Sequence, residues 1–220
     1  YHLAFFAIST AMLGMTAGAT RVYLQPQQFR PERQSMALSG SGIGLALSIP
    51  ITLTLLCLVP VDLQISAMSF LALVLTTVFC ALPFYFAGTI VSAALTKYKL
   101  PMGGLYASDL LGAAAGCLFV LGGLELFDAP SLILLCSSTS ALAAVSFSWG
   151  KAPAWRQGLN FALFLLFLAG ALVNSLSTRG IGPMIEKGKR FVPSYTYQLV
   201  RWNSFSRVAV KAQVYSSPQY

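Results

Sequence analysis

The sequence contains few charged residues. Asp, Glu, Lys and Arg make up 9% of its 220 residues, whereas hydrophobic residues make up 56%. An average soluble domain is roughly one quarter charged. The mean hydropathy of +0.72 is correspondingly high. This composition excludes an ordinary soluble globular domain and predicts a protein that folds within a lipid bilayer.

The sequence also lacks the clustered ligands of a metal centre. Its single histidine, His2, stands beside Tyr1 at the start of an apolar stretch, where it suits an anchor at the membrane edge. The four cysteines lie inside apolar stretches, far apart and without a paired spacing, at Cys57, Cys80, Cys117 and Cys136. Buried cysteines usually behave as small apolar side chains. We therefore predict no catalytic, cofactor-binding or metal-binding residue in this chain, and no nucleic-acid partner.

Long apolar stretches are abundant. A helix needs about 20 apolar residues to cross the hydrocarbon core of a bilayer, and six stretches reach this length, at 1–20, 36–59, 65–96, 103–126, 130–149 and 158–178. Backbone groups in lipid must be satisfied within the segment, as they are in a helix. We predict an all-α, polytopic transmembrane bundle of about six spans at 1–178, followed by a short, polar, β-rich tail at 179–220.

Prolines and an aspartate mark where these helices bend and begin. The third stretch is longer than one crossing requires and contains Pro83, which removes a backbone donor and kinks a helix. We expect one tilted, kinked helix there, and a re-entrant pair of half-helices is the alternative. Asp128, two residues ahead of Pro130, is placed to cap the fifth span.

The short connectors alternate in charge. Lys and Arg follow the first, third and fifth spans, at Arg21, Arg30, Arg33, Lys97, Lys99, Lys151 and Arg156. The connectors after the second and fourth spans carry only acidic charges, at Asp62, Glu125 and Asp128. Basic loops face the cytoplasm, so six crossings would send the tail outward. Because the tail is itself basic, either it is exported or one stretch does not cross, the second and third being the main candidates.

Asp109 lies about two turns inside the fourth span, after Tyr106 and Ser108. A carboxylate in the hydrocarbon is costly, so it should face the bundle interior, water or a partner. One role is a proton or cation relay. The other, which we favour because no second charge lies within a span, is a structural hydrogen bond to a neighbouring helix or to the basic end of the third span.

Small residues recur at helical spacing in two places, as Gly14 with Gly18 and as Gly112 with Gly116. Such pairs let helix backbones approach closely in lipid. Packing within the bundle is the favoured role of both pairs, and contact with a second copy or with another membrane subunit is the alternative. We expect any protein partner at one of these two faces, with lipid as the default neighbour.

The tail has a different pattern. Apolar side chains alternate with polar ones over 207–214, which is typical of a half-buried strand, and 195–200 is a second candidate. Lys187, Lys189 and Arg190 form a basic cluster close to the membrane, where anionic headgroups attract such residues. Two strands are not stable alone, so we expect these to be the first strands of a soluble domain.

Four segments of the chain resemble segments of one known protein family. They are 1–9 (YHLAFFAIS), 82–88 (LPFYFAG), 105–117 (LYASDLLGAAAGC) and 202–208 (WNSFSRV). In these segments the chain resembles bacterial membrane-embedded spermidine-synthase-like proteins, in which a multi-span bundle precedes an aminopropyltransferase-type domain. The resemblance covers essentially the whole chain. It implies a multi-pass protein of the bacterial cytoplasmic (inner) membrane, with one more span before Tyr1.

The resemblance also implies a Rossmann-like domain after Tyr220 that binds S-adenosylmethionine or its decarboxylated form. The matching early strand motif comprises Trp202, Asn203, Ser204, Phe205, Ser206 and Arg207. Phe205 matches the aromatic position that approaches the substrate in soluble spermidine synthases, whereas Ser206 stands where glutamine is usual. The acidic residues and the Gly-rich loop of the cofactor site have no counterpart here, so this chain alone is not expected to be an enzyme.

The expected function is therefore that of an anchor or scaffold for a transferase-type domain. One alternative is an accessory structural subunit of a larger membrane complex. The other is a transporter-like bundle, which Asp109, Pro83 and the close-packing glycines permit. A transporter would be expected to show internal repeats, broken helices and paired charges, and we find no convincing half-to-half repeat.

Overall fold

The computed structural model describes residues 2–58, 66–98, 101–177, 180–181, 185–186, 189–190, 197–203 and 207–211. Six α-helices fill most of this described part: α1 His2–Leu24, α2 Gln34–Leu58, α3 Ala67–Lys97, α4 Met102–Leu126, α5 Ala129–Ser148 and α6 Ala154–Leu176. A short 3₁₀ helix, Pro26–Phe29, connects α1 to α2. The helices coincide with the predicted spans to within a few residues, and the predicted all-α bundle is confirmed.

Five of the helices, α2 to α6, are long and apolar enough to cross a membrane. The described residues of α1 do not meet this criterion, but the helix packs along α3. Large apolar side chains point away from the bundle on several helices; Phe70 is 69% exposed, Leu118 72% and Leu166 62%. Lipid, rather than water, is the solvent in which such a surface is stable.

The helices lie side by side in the order α1, α3, α2, α5, α6, which differs from their order in the sequence. The helices α1 and α3 are parallel, because Gly14 of α1 faces Ala81 of α3 while Gly18, one turn later, faces Thr89. Small residues at these contacts let the two backbones approach closely.

α2 and α5 are antiparallel neighbours at the centre of the bundle. Gly42 of α2 faces Ala144 of α5, whereas Ala46, one turn later in α2, lies in a buried cluster with the earlier Ala141. Helix direction therefore alternates along the chain. The connector 25–33 and the connector 149–153 lie at one end of the bundle, and the chain leaves α6 at the other end.

This alternation bears on the predicted conflict over the tail. The two stretches suspected of not crossing form continuous helices, α2 and α3, so neither offers a break that would resolve the conflict. The structure leaves the side of the tail as it was predicted, outward if all six stretches cross.

Pro83 lies inside α3 without interrupting it. A proline leaves the carbonyl four residues earlier without its usual donor, here that of Phe79. The hydroxyl of Thr52 on α2 donates to this carbonyl oxygen at 2.7 Å. Hydroxyls of neighbouring helices are a common way to satisfy such a group in lipid. The expected single helix is thus observed, and the re-entrant alternative is wrong.

Side chains cap two of the helix starts. Ser66 Oγ accepts a hydrogen bond from the Ser69 N–H at 3.1 Å at the start of α3. Asp128 accepts from the Ser131 N–H at 3.4 Å at the start of α5, so the predicted cap is confirmed. α5 is followed by Gly150 with a φ of +67°, a conformation that favours glycine after a helix.

The core between the helices is built from small and hydroxyl-bearing residues. Some of its buried apolar side chains form two clusters, one of Val22, Phe29, Leu38 and Ala93 and one of Ala46, Ala141 and Phe167. Eight buried serines of the described residues contribute, at Ser35, Ser39, Ser41, Ser48, Ser131, Ser137, Ser138 and Ser148, and further buried hydroxyls are found among the threonines. Small side chains of this kind favour close helix packing in a bilayer.

Four short strands lie in the described residues beyond α6. β1 Ile185–Glu186 pairs antiparallel with β2 Lys189–Arg190, and β3 Tyr197–Trp202 pairs antiparallel with β4 Arg207–Lys211. The strand predicted at 207–214 is observed over 207–211, and the one predicted at 195–200 over 197–202. Lys187 of the predicted basic cluster lies outside the described residues.

Candidate functional site

The predicted polar group of Tyr106, Ser108 and Asp109 lies on α4, whose middle is exposed. Every residue from 106 to 122 is exposed. The Ser108 hydroxyl donates to the Gly104 carbonyl of its own helix at 2.9 Å. No hydrogen bond or ion pair reaches Asp109 from the residues that the structure describes. The structural hydrogen bond that we favoured for Asp109 is therefore not formed within this part of the chain.

α4 contacts its neighbours near its two ends. At one end Gly123 is buried against Leu132 of α5, and at the other Met102 borders a small cleft beside Leu95 of α3. Between these contacts, an apolar groove of about 830 Å³ lies along α4. The groove is lined among others by Gly116, Cys117, Val120, Cys136 and Thr139. Its size and apolar walls suit the acyl chains of surrounding lipid.

The two glycine pairs have opposite surroundings. A Cβ atom added to Gly14 or Gly18 would overlap backbone carbonyl oxygens of α3. The same addition to Gly112 or Gly116 would meet nothing within 4 Å. The first pair is therefore a packing face inside the bundle, as favoured. The second pair does not pack within the described part of the bundle.

A buried carboxamide that the sequence analysis missed joins three helices. Asn160 of α6 is 0% exposed. Its Nδ2 donates to Ser39 Oγ of α2 at 3.0 Å and to Ser148 Oγ of α5 at 3.1 Å, and it also lies 3.3 Å from the Ala144 carbonyl oxygen. Its Oδ1 has no partner among the described residues. The available signal was an amide within an otherwise apolar span, where polar side chains tend to bind other helices.

A second carboxamide fixes the point where the chain leaves the bundle. Asn174 Nδ2 donates to Asp128 Oδ2 at 2.9 Å and to Ser131 Oγ at 2.8 Å. Its Oδ1 accepts from the Ile181 N–H at 2.6 Å. The end of α6 and the residues after it are thereby attached to the start of α5. Asp128 is thus more than a helix cap, because it also binds a neighbouring helix.

The strand motif is partly described. Trp202 ends β3 and Arg207 begins β4, and the two residues are paired across the ribbon. Trp202 is half-buried and Asn203 is exposed. The other three motif residues, 204–206, lie outside the described residues.

The described residues include no group of three His, Cys, Asp or Glu side chains that could hold a metal ion. The hydrogen bonds of Asn160 and Asn174 join neighbouring helices inside an apolar bundle, which is a structural task. Comparisons with protein-family models, with curated proteins and with solved structures gave no match. The fold itself defines the class: this chain is a multi-pass membrane protein built as an all-α helical bundle.

Proposed function

We propose that this chain is the membrane domain of a spermidine-synthase-like protein and that it anchors a transferase-type domain at the end of α6. The observation that carries the proposal is the change from membrane helices to the antiparallel pair β3–β4. A two-stranded ribbon is marginal by itself. Val208 and Val210 are 48% and 44% exposed, an apolar surface that further β-structure would cover. The similarity at 202–208 supports the same assignment.

The attachment at the end of α6 suits an anchor. Asn174 binds both Asp128 and the backbone of Ile181, so the chain leaves the bundle at a fixed place. A domain that follows is then held close to the bilayer surface by the bundle. The membrane would be the bacterial cytoplasmic membrane, and the catalytic chemistry would belong to the attached domain.

The coding sequence beyond Tyr220 gives the first test. We expect a domain with a Gly-rich loop and acidic residues; a frame that stops near Tyr220 without such a domain overturns the proposal. Membranes that contain the full product should transfer an aminopropyl group from decarboxylated S-adenosylmethionine to a diamine, and membranes with 1–220 alone should not. Phe205→Ala should raise KM for the amine if the aromatic position is used as the resemblance implies.

Cysteine labelling tests the placement of the attached domain. The four native cysteines would be replaced by alanine, and Lys151→Cys and Arg201→Cys would be labelled separately in sealed vesicles with a membrane-impermeant maleimide. Six crossings predict that the two positions lie on opposite sides. Labelling of both from the same side would overturn the six-crossing scheme, and Arg30→Cys, expected on the side of Lys151, is the internal control.

A second candidate function, an accessory subunit of a larger complex, is favoured by α4. An exposed carboxylate at Asp109 and an open pair at Gly112 and Gly116 would suit a neighbouring helix. Gly116→Leu should then reduce the size of the assembly in native gels at unchanged helix content. The control, Leu118→Ala, alters the opposite side of α4 and should leave the size unchanged; equal sizes for both variants would contradict this role.

The transporter-like alternative stays a prediction. Sites in such proteins are built on broken helices, whereas α2 and α3 are continuous through Pro50 and Pro83. Uptake into liposomes that depends on Asp109, and is lost in Asp109→Asn, would be needed to support it.

A further inference from the structure

A cleft between α1 and α3 combines a cation with apolar walls. Its volume is about 470 Å³, within the range of pockets for small ligands. Arg21, in the last turn of α1, and Tyr85 of α3 supply its charged and aromatic sides. Leu13 and Leu24 line it along the helix, and Gln25 borders it where α1 ends. The cleft is therefore amphipathic, with its polar part at the end of α1 where the basic connector 25–33 begins.

Close packing makes the cleft a fixed feature of the bundle. Gly14 and Gly18 bring α1 against the α3 backbone, and a Cβ added to Gly88 of α3 would lie 2.5 Å from the Met15 carbonyl oxygen. Helices in such contact cannot shift without breaking many contacts at once. The position of Tyr85 relative to Arg21 thus follows from the glycines rather than from flexible side chains.

The guanidinium of Arg21 is held in place by two neighbouring side chains and still has hydrogen-bond donors without a partner among the described residues. Its carbon Cζ lies 5.9 Å from the centre of the Tyr85 ring, a cation–π distance. Its Nη2 donates to Gln28 Oε1 at 3.0 Å. Within the described part of the chain no carboxylate pairs with it. A guanidinium has five N–H donors in a planar fork, so donors remain for an anion in the cleft.

We propose that this cleft binds the phosphate headgroup of an anionic phospholipid from the leaflet on the side of the basic connectors. The Arg21 fork matches a phosphate geometrically, and the hydroxyl of Thr16 and the carboxamide of Gln25 are additional donors at the rim. Leu13 and Leu24 provide an apolar path for an acyl chain, which a free phosphate ion would not use. Basic pockets between transmembrane helices are suited to such headgroups.

The charge of the surroundings selects the lipid. Arg30, Glu32 and Arg33 follow in the same connector and are exposed, so that the connector and Arg21 together carry a net charge of +2, from three arginines and one glutamate. This net positive potential favours a headgroup with a net negative charge over a zwitterionic one, although both contain a phosphate. The site is therefore expected to prefer phosphatidylglycerol to phosphatidylcholine.

Lipid titration of the purified chain, read by native mass spectrometry, tests the proposal. The wild type should retain one phosphatidylglycerol at lower lipid concentration than phosphatidylcholine. Arg21→Gln should weaken phosphatidylglycerol binding about tenfold, because it removes a charge-assisted hydrogen bond. Lys151→Gln removes an exposed cation from the same side of the bundle and serves as the matched control with unchanged affinity.

Two further measurements keep the proposal refutable. Arg21→Lys keeps the positive charge but loses the planar fork of donors, so its affinity for phosphatidylglycerol should lie between those of the wild type and Arg21→Gln. If Arg21→Gln loses its helical circular dichroism, Arg21→Lys takes its place as the test variant. Inorganic phosphate at millimolar concentration should not displace the lipid. Equal binding of the two lipids, equal loss in Lys151→Gln, unchanged binding in both Arg21 variants, or displacement by inorganic phosphate would each overturn the assignment.

Discussion

The two glycine pairs provide a prediction with a built-in control. Gly18→Ala adds a methyl group where the backbones of α1 and α3 touch. The new Cβ would overlap the Tyr85 carbonyl oxygen and lie 2.7 Å from the Thr89 backbone nitrogen. The Thr89 contact alone requires α1 and α3 to separate by 0.7 Å to reach ordinary contact at 3.4 Å, and the closer Tyr85 oxygen requires more. Separation also lengthens the Thr89 hydroxyl contact to the Gly18 carbonyl oxygen, now 3.4 Å.

Overpacking of this kind destabilises a fold by about 1–3 kcal/mol. The same substitution at Gly116 meets nothing within 4 Å, and alanine is about 0.8–1.0 kcal/mol better than glycine within a helix. We therefore expect Gly18→Ala to lower the free energy of unfolding and Gly116→Ala to leave it unchanged or raise it. The same chemical change, glycine to alanine, is therefore expected to destabilise the bundle at position 18 and not at position 116.

Reversible unfolding by sodium dodecyl sulfate in mixed micelles, followed by far-ultraviolet circular dichroism, measures both variants against the wild type. The result that refutes the reasoning is equal destabilisation by the two substitutions, since that would mean that both pairs pack against other helices. Destabilisation by Gly116→Ala alone would likewise show that the contact between α1 and α3 is not as close as described.

Three other substitutions test single contacts by the same unfolding assay. Thr52→Val removes the donor to the carbonyl freed by Pro83 and should lower the free energy of unfolding by about 1 kcal/mol. Its control, Thr54→Val, loses a hydrogen bond within its own helix and should lower the free energy of unfolding less. A larger loss in Thr54→Val than in Thr52→Val would contradict this account of the proline. Asn160→Leu removes the hydrogen bonds that join α2, α5 and α6 and should lower the free energy of unfolding by roughly 2 kcal/mol. Its control, the lipid-facing Leu166→Ala, should cause no loss. Similar values for the two variants would show that the amide is dispensable. Asp128→Ala should cost about 1 kcal/mol or more through the lost cap of α5, and unchanged stability would argue against that cap.

The sequence determined the number, length and type of the main elements. An apolar stretch of about 20 residues has one stable form in lipid, because its backbone groups must be satisfied internally. The predicted spans and the observed helices consequently agree at nearly every boundary. The largest differences are at α1, which continues to Leu24 and includes Arg21, and at α6, which begins at Ala154 rather than near residue 158. Helix ends at the bilayer surface can extend into the interface, where hydropathy gives no sharp limit.

Local signals also predicted the role of individual residues where the partner is close in sequence. The cap by Asp128 follows from its position ahead of Pro130 and is observed. The strand alternation after residue 207 required only neighbouring residues and is likewise observed.

The tertiary structure decided which helix faces meet. Both glycine pairs have the same spacing, and only the packing order α1, α3, α2, α5, α6 shows that Gly14 and Gly18 are enclosed while Gly112 and Gly116 are open. The same holds for Asp109, whose surroundings depend on where α4 lies. In a bilayer, lipid and a neighbouring helix are equally apolar, so hydrophobicity does not distinguish a lipid-facing side from a helix-facing one. Long-range contacts such as Asn160 with Ser39, 121 residues apart, exist only once the helices are arranged.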